Sequence, residues 1–393
     1  METIVRACLR KPNTTQYSYS YGTSEARRAI ASHHAIPGYG APDPEHIIIT
    51  NGCSAALDLS LASILDPGSS LLVPNPGFPL YEEIAESHGA TVIKYKLDPN
   101  KRWECDLDHL EDIMKSSSRN SIRAIVINNP SSHGAVFSKS HLMKLLDIAF
   151  KHKLLVISDE VYGDMTFGSH RFHPLADVAA EHGQKVPILV TSGLSKQFLV
   201  PGWRMGWVVF HDNKWGSLRY VREGAQRLSK LQHGVSHLMQ SVIPTLLSPS
   251  TPGLLSWKKH LTSTLEKQSK VLCSNLQSCP GLQILCPPQG SMYAIVHFDF
   301  YRYSFGDEIT DDQDFCYKLV QEENVFVLPG SSFGVPGTFR VAFSAKQNIL
   351  EEACSRISRF CKKHARARVM DWNCFEMEWT ITIIFLHIKY NTA

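Results

Sequence analysis

Two cations eight residues apart mark the part of this chain best equipped for chemistry. Lys196 and Arg204 lie in Thr191-Ser-Gly-Leu-Ser-Lys-Gln-Phe-Leu-Val-Pro-Gly-Trp-Arg-Met-Gly-Trp207, directly after an apolar run over 187–191 that reads as a short buried strand. Lys196 therefore stands just past a strand end, where α/β folds gather ligands. Pro201-Gly202 forbids a regular helix between the two cations and turns the chain back, and 206–210 reads as the returning strand. Lysine and arginine can thus converge on one small anion. A second anion-binding feature is Gly52-Cys53-Ser54-Ala55: strand, tight glycine turn and helix, in that order, point free backbone N–H groups at negative charge. Asp159 ends the apolar run 153–158, 37 positions before Lys196; taken alone, an aspartate there is an ordinary turn or helix cap. Arg340 sits inside Thr338-Phe-Arg-Val-Ala-Phe343. Burying an unpaired guanidinium is costly, so packing alone does not account for it, and its planar fork suits a carboxylate.

Positioning these residues takes an alternating architecture. Strands are expected over 46–50, 69–73, 91–95, 121–127 and 153–158, with helices over 53–65, 80–88 and, capped by Ser138, up to about 152. An earlier helix, capped by Thr23 or Ser24, runs to about 34. Strands alternating with helices give an α/β fold, a mostly parallel mixed sheet with helices on both faces. After Trp207 the pattern changes to long helices, over about 213–231 and on towards 247, then 252–277. Small strands return over 282–285, 291–297, 325–328 and 338–343 around a helix over 311–322, and a helix over 347–364 closes this smaller α+β part. The expected organisation is an N-terminal segment 1–16, a large domain 17–247, a small C-terminal domain 248–365 and an atypical tail 366–393.

Bulk composition narrows the function classes. The chain has 393 residues, 43% hydrophobic and 20% charged, with a formal net charge of +3, which is globular material and too mildly basic to argue for nucleic acid. Ten cysteines are scattered without a C-x-x-C pair, as suits reduced thiols in a cytoplasmic protein rather than a disulfide frame or a zinc site. The first residues lack the apolar core of a secretory signal. No stretch reaches the roughly 18 apolar residues of a membrane helix; the tail segment 379–388 is apolar but too short, and reads as β-prone.

Gly193-Leu-Ser-Lys196 followed by Pro201-Gly-Trp-Arg-Met-Gly206 resembles the cofactor-lysine signature of fold-type I pyridoxal 5′-phosphate (PLP) aminotransferases, most of all the tyrosine aminotransferases, over about residues 15–365. The resemblance implies that Lys196 carries PLP as a Schiff base and Arg204 holds its phosphate, together with the Ser54-Ala55 turn. It implies that Asp159, in Asp-Glu-Val-Tyr162, pairs with the pyridine nitrogen. Tyr162 then donates to the cofactor's phenolic oxygen, Phe78 stacks on the ring, and Arg340 takes the substrate α-carboxylate. Tyr17 is similar to the tyrosine that reaches the partner's phosphate across a homodimer interface, although Tyr19 and Tyr21 compete for that place. The chain departs from the family where tyrosine aminotransferases read N-P-S-N-P-x-G. Here Asn129-Pro-Ser-Ser-His-Gly134 is one residue shorter; Asn129 is retained, and Ser131, Ser132 or His133 stands in for the second asparagine. The glycine-proline gating stretch that precedes Tyr17 in relatives is also not found. The expected function is transfer of an amino group from a tyrosine-like amino acid to a 2-oxo acid. A PLP-dependent C–S lyase shares every cofactor residue named, and the altered loop leaves open a cofactor-free relative acting as a subunit or scaffold.

Overall fold

The computed structural model describes residues 2–11, 14–116, 121–183, 186–212 and 216–368. Eight strands form one sheet: β1 (Ile47–Asn51), β2 (Ser70–Asn75), β3 (Thr91–Asp98), β4 (Glu104–Cys105), β5 (Ile122–Asn128), β6 (Leu155–Asp159), β7 (Ile188–Gly193) and β8 (Met205–His211). Their order is β1-β8-β7-β6-β5-β2-β3-β4. The run β7-β6-β5-β2-β3 is parallel, β8 is antiparallel to both its neighbours, and β4 is antiparallel to β3. The period-2 geometry of a strand divides the apolar runs between two faces. Ile47, Ile49, Ile125, Ile127, Val156, Ile188, Val190 and Val209 enter one core. Ile48, Ala124, Val126, Ile157, Leu189, Val208 and Phe210 enter the other. Burial on both faces is why these strands read as unbroken apolar segments.

A four-stranded antiparallel sheet follows, of order β12-β13-β10-β9, from β9 (Leu282–Gln283), β10 (Tyr293–Phe298), β12 (Leu328–Pro329) and β13 (Thr338–Ala342). Two short strands lie outside it, β11 (Tyr303–Ser304) and β14 (Arg366–Ala367), paired to each other. The third core has Ala294, Val296, Phe298, Phe339 and Val341 packed with Phe315 and Phe360 from the Asp312–Glu323 and Gln347–His364 helices. The 24-residue helix Leu254–Gln277 touches two cores: Leu254 and Trp257 pack on the first, Leu265, Leu272 and Leu276 on the third.

Several helix starts follow side-chain caps. Thr23 Oγ1 accepts from Ala26 N, Ser138 Oγ from His141 N, and Asp311 from Gln313 N and Asp314 N, each satisfying donors that the first turn leaves open. The continuous helix expected from about 213 towards 247 is instead broken into Arg219–Ser229, Lys230–Gln232, His237–Gln240 and Ile243–Leu247. His233 and Gly234 take positive φ of 52° and 87°, and Ser236 caps a new turn by accepting from Met239 N. The strand expected over 325–328 shrinks to Leu328–Pro329. Helices Leu107–Lys115 and Leu175–His182 are additional to the sequence reading. Among the described residues no helix is long and apolar enough to cross a membrane; tail positions 369–393 lie outside the described residues.

Candidate active site

Parallel strands β5, β6 and β7 finish at one edge of the sheet. Their register sets Asn128 beside Asp159 and Asp159 beside Thr191, so three different loops open into the same space. That space is a cavity of about 280 Å³. Asp159, Tyr162, Lys196 and Arg204 line it from the large sheet, Phe78 and Tyr81 from the segment after β2, and Tyr293 and Arg340 from the small sheet.

Asp159 is its most buried charge, 3% exposed. The carboxylate accepts from Tyr81 Oη at 2.7 Å, from Val161 N at 3.3 Å and, at 3.7 Å, from Cys53 Sγ. Among the described residues no cation pairs with it. Burial therefore pushes its pKa up, against those hydrogen bonds, because desolvation disfavours the charged form. Burial and the neighbouring Asp159 also hold the Tyr81 phenol and the Cys53 thiol well above their usual ranges.

Lys196 stands on the single helical turn Leu194–Gln197 that follows β7. Its Nζ donates to Tyr293 Oη at 3.1 Å. Arg340, on β13, lies with its guanidinium carbon 4.5 Å from the Tyr293 ring centre and 5.4 Å from that of Phe333, and Nη1 donates to the Ser132 carbonyl at 3.4 Å.

Arg204 is held at the sheet edge by close backbone approach. It takes a left-handed φ of 51° after the Pro201–Trp203 turn, and its guanidinium donates to Pro201 O and Asn51 O, both at 3.1 Å. A Cβ on Gly52 would lie 2.5 Å from Arg204 Nη2, and one on Gly206 would lie 2.3 Å from the Gly52 carbonyl carbon. Only glycines let the arginine and the helix start meet. The Cys53–Ala62 helix begins at Gly52 with no side-chain cap, so its first-turn N–H groups remain for an external acceptor.

Of the residues singled out from the sequence, Lys196, Asp159, Tyr162, Arg204, Ser54, Phe78 and Arg340 all line this cavity. Three stand elsewhere. Ala55 lines a separate cavity of about 200 Å³ with Asp58, Leu59 and Leu231. Asn129 is buried with Oδ1 accepting from Phe137 N at 2.9 Å, while its neighbour Asn128 lines the site, Nδ2 donating to Asp159 O and Oδ1 accepting from Ser132 N. Tyr17 is 93% exposed. In the shortened loop it is Ser132 that borders the cavity. Ser131 Oγ is occupied by Ala135 N and His133 N, and His133 is buried against Trp103. Sequence reading missed Tyr81, Asn128 and Tyr293, and gave Cys53, named within the Gly52–Ala55 turn, no part at Asp159. Tyr81 was accessible in principle, since three residues after Phe78 at a helix start it shares that residue's side; Tyr293 carried no local signal.

The chain matches the model of the aminotransferase class I and II family over residues 2–357. It is 38% identical over 353 residues to tyrosine aminotransferase of Dictyostelium discoideum, covering 89% of this chain and 81% of that protein. The crystal structure of tyrosine aminotransferase from Leishmania infantum superposes with a TM-score of 0.84 at 31% identity, covering 93% of this chain and 87% of that one. A more distant relative is the S-alkyl-thiohydroximate lyase SUR1 of Arabidopsis thaliana, 31% identical over 91% of this chain and 75% of that protein. The chain belongs to the aminotransferase class I and II family, and its activity is that of a PLP-dependent transaminase. The residues present fit that cofactor: a buried carboxylate that no cation among the described residues pairs with suits a pyridinium, and an arginine beside an uncapped helix start suits a phosphate.

Proposed function

We propose that the protein transfers the amino group of a tyrosine-like amino acid to a 2-oxo acid such as 2-oxoglutarate, as a homodimer in the cytoplasm. The observation that carries the reading is one cavity containing a buried carboxylate with no cation beside it among the described residues, a lysine amine and an arginine fork. The tyrosine aminotransferases among its relatives support the aromatic preference, and nine free thiols among the described residues suit a reducing compartment.

When bound, PLP supplies an electron sink for the pair left at the substrate Cα after deprotonation. Lys196 would hold the cofactor covalently, and its freed amine would carry the proton between the substrate Cα and the cofactor carbon that had bound it, in opposite directions in the two half-reactions. Asp159 keeps a proton on the ring nitrogen through a close ion pair. Arg204 and the first-turn N–H groups at Ser54 and Ala55 take the phosphate. Tyr162 donates to the phenolic oxygen, with Asn128 and Ser132 bordering the same space and Asn129 bracing the loop. Phe78 covers the ring, and Arg340 takes the α-carboxylate in a two-pronged contact. Tyr17 completes the phosphate site of the partner.

The test is product analysis of the purified holoenzyme with tyrosine and 2-oxoglutarate, joined to borohydride reduction and peptide mapping. Glutamate, the aromatic 2-oxo acid and label on Lys196 are the expected results. Label on another lysine overturns the assignment. The named lyase among the relatives makes β-elimination the second reading; pyruvate and ammonia from a cysteine conjugate, without a new amino acid, would establish it instead.

A further inference from the structure

Tyr293 occupies a position that none of the assigned roles uses. It opens β10, and the β10–β13 register pairs it with Ala342 and pairs Ile295 with Arg340. Tyr293 and Arg340 are therefore diagonal neighbours on one face of the small sheet, while Ala294, Val296, Phe339 and Val341 turn the other way into the core. Two groups from loops of the large sheet, Lys196 and Tyr162, meet it there beside Arg340. Its hydroxyl accepts from Lys196 Nζ at 3.1 Å. Its ring carries the Arg340 guanidinium at 4.5 Å. The Tyr162 ring stands edge-on to it, centroids 6.1 Å apart and planes at 89°.

We propose that Tyr293 is a positioning residue with two separable parts: its hydroxyl holds the Lys196 amine on the Arg340 side of the site, and its ring fixes the Arg340 guanidinium for the substrate carboxylate. The inference rests on the reaction assigned above and deepens it. A hydrogen bond restrains a four-carbon side chain that otherwise samples many rotamers, so the amine waits near the substrate Cα. A cation over a ring face keeps a planar fork in one orientation. The small sheet thereby registers both groups with one side chain. Burial alone would raise the Tyr293 phenol pKa, but the Lys196 and Arg340 cations outweigh it and bring it below the usual tyrosine range; Tyr162, buried beside it, is held well above that range.

Two variants separate the parts. Tyr293→Phe keeps the ring and loses the hydroxyl; Tyr293→Leu loses both. Expected for Tyr293→Phe is a kcat about tenfold lower, with KM for the amino acid within twofold. Expected for Tyr293→Leu is, in addition, a KM raised about three- to thirtyfold for amino acids but unchanged for an amine lacking the carboxylate. A readout free of turnover is ultraviolet phenolate titration of the cofactor-free protein. One tyrosine should ionise below the others in the parent, vanish in Tyr293→Phe and shift upward in Arg340→Ala. That titration stands even if the reaction assigned above is wrong, so the two failures are distinguishable. A Tyr293→Phe variant with parental kcat and an unchanged titration overturns the hydroxyl's part. Equal KM in the two variants overturns the ring's part.

Discussion

Asp159 and Glu160 are adjacent acids sent to opposite uses. Asp159 faces the cofactor cavity, and its pairing with a pyridinium is worth about 1 to 3 pKa units. Asp159→Asn should therefore retain bound PLP, read by its absorbance, while kcat falls roughly 10- to 1000-fold; an unchanged rate would reduce Asp159 to a cap. Glu160 points instead into a second cavity bordered by His33, His34, Asp177 and His211. There it accepts from Ser158 Oγ at 2.8 Å and Leu175 N at 3.0 Å, and burial raises its pKa to about 7. An acid raised in the folded state favours folding below its unfolded pKa and loses that advantage as pH rises through the folded one, here between about 4.5 and 7. Glu160→Gln keeps an oxygen for both donors and removes the titration. Relative to the parent, the variant should gain up to about 3 kcal/mol between pH 5 and pH 8, read by urea denaturation of the cofactor-free protein at both pH values. A pH-independent difference would show that Glu160 ionises normally.

At the scale of elements, the phosphate cradle depends on two backbones touching. Gly206→Ala drives a Cβ against the Gly52 carbonyl carbon at 2.3 Å and Cys53 N at 2.5 Å, neither of which can swing aside. Gly52→Ala meets only the movable end of Arg204, but strains a φ of 81°. The expected order is a loss of at least about 3 kcal/mol for Gly206→Ala, against about 1 to 3 kcal/mol with roughly tenfold weaker PLP for Gly52→Ala. Thermal melts and PLP titration check it, and the reverse order would mean the cradle is not tight. The 129–134 loop gives a gain-of-function counterpart. Rebuilding it as Asn-Pro-Ser-Asn-Pro-Cys-Gly adds an amide near the phenolic oxygen and should tighten PLP about tenfold; no change would show that Ser132 and Asn128 already satisfy that oxygen. The elements themselves were legible because apolar runs, caps and turn residues act locally. Ser138 and the Pro201-Gly202 turn each announced their roles. Arg340, a charge inside an apolar run, was legible for the same reason, whereas Asp159 taken alone read as a cap and drew its role from the resemblance. Tyr293 and Cys53 were not legible, since nothing in their own neighbourhoods encodes a partner that lies about 100 positions away in the chain. The break at His233-Gly234 was misread as helix because its flanks keep helical composition.

For the whole molecule, Tyr17 stands 93% exposed, available to a second copy. If it completes the partner's phosphate site, Tyr17→Ala and Lys196→Ala damage different halves of the same composite centre. Mixed dimers of the two variants then contain one doubly damaged centre and one intact centre. Activity should return on mixing and refolding, to about a quarter of parental at equal subunit amounts if assortment is random. No recovery would place Tyr17 outside any shared centre. The helix Leu254–Gln277 raises a mechanical point. Twenty-four residues span about 36 Å at 1.5 Å per residue, anchored at one end under the large sheet and at the other beneath the sheet that carries Arg340. A rod of that length converts angle into distance: tilting it by about 5° about its first anchor displaces the far end by about 3 Å, roughly the reach of one hydrogen bond. A substitution at Trp257, whose ring stacks on Phe198 at 5.8 Å, two residues after Lys196, would act on the fulcrum of that lever.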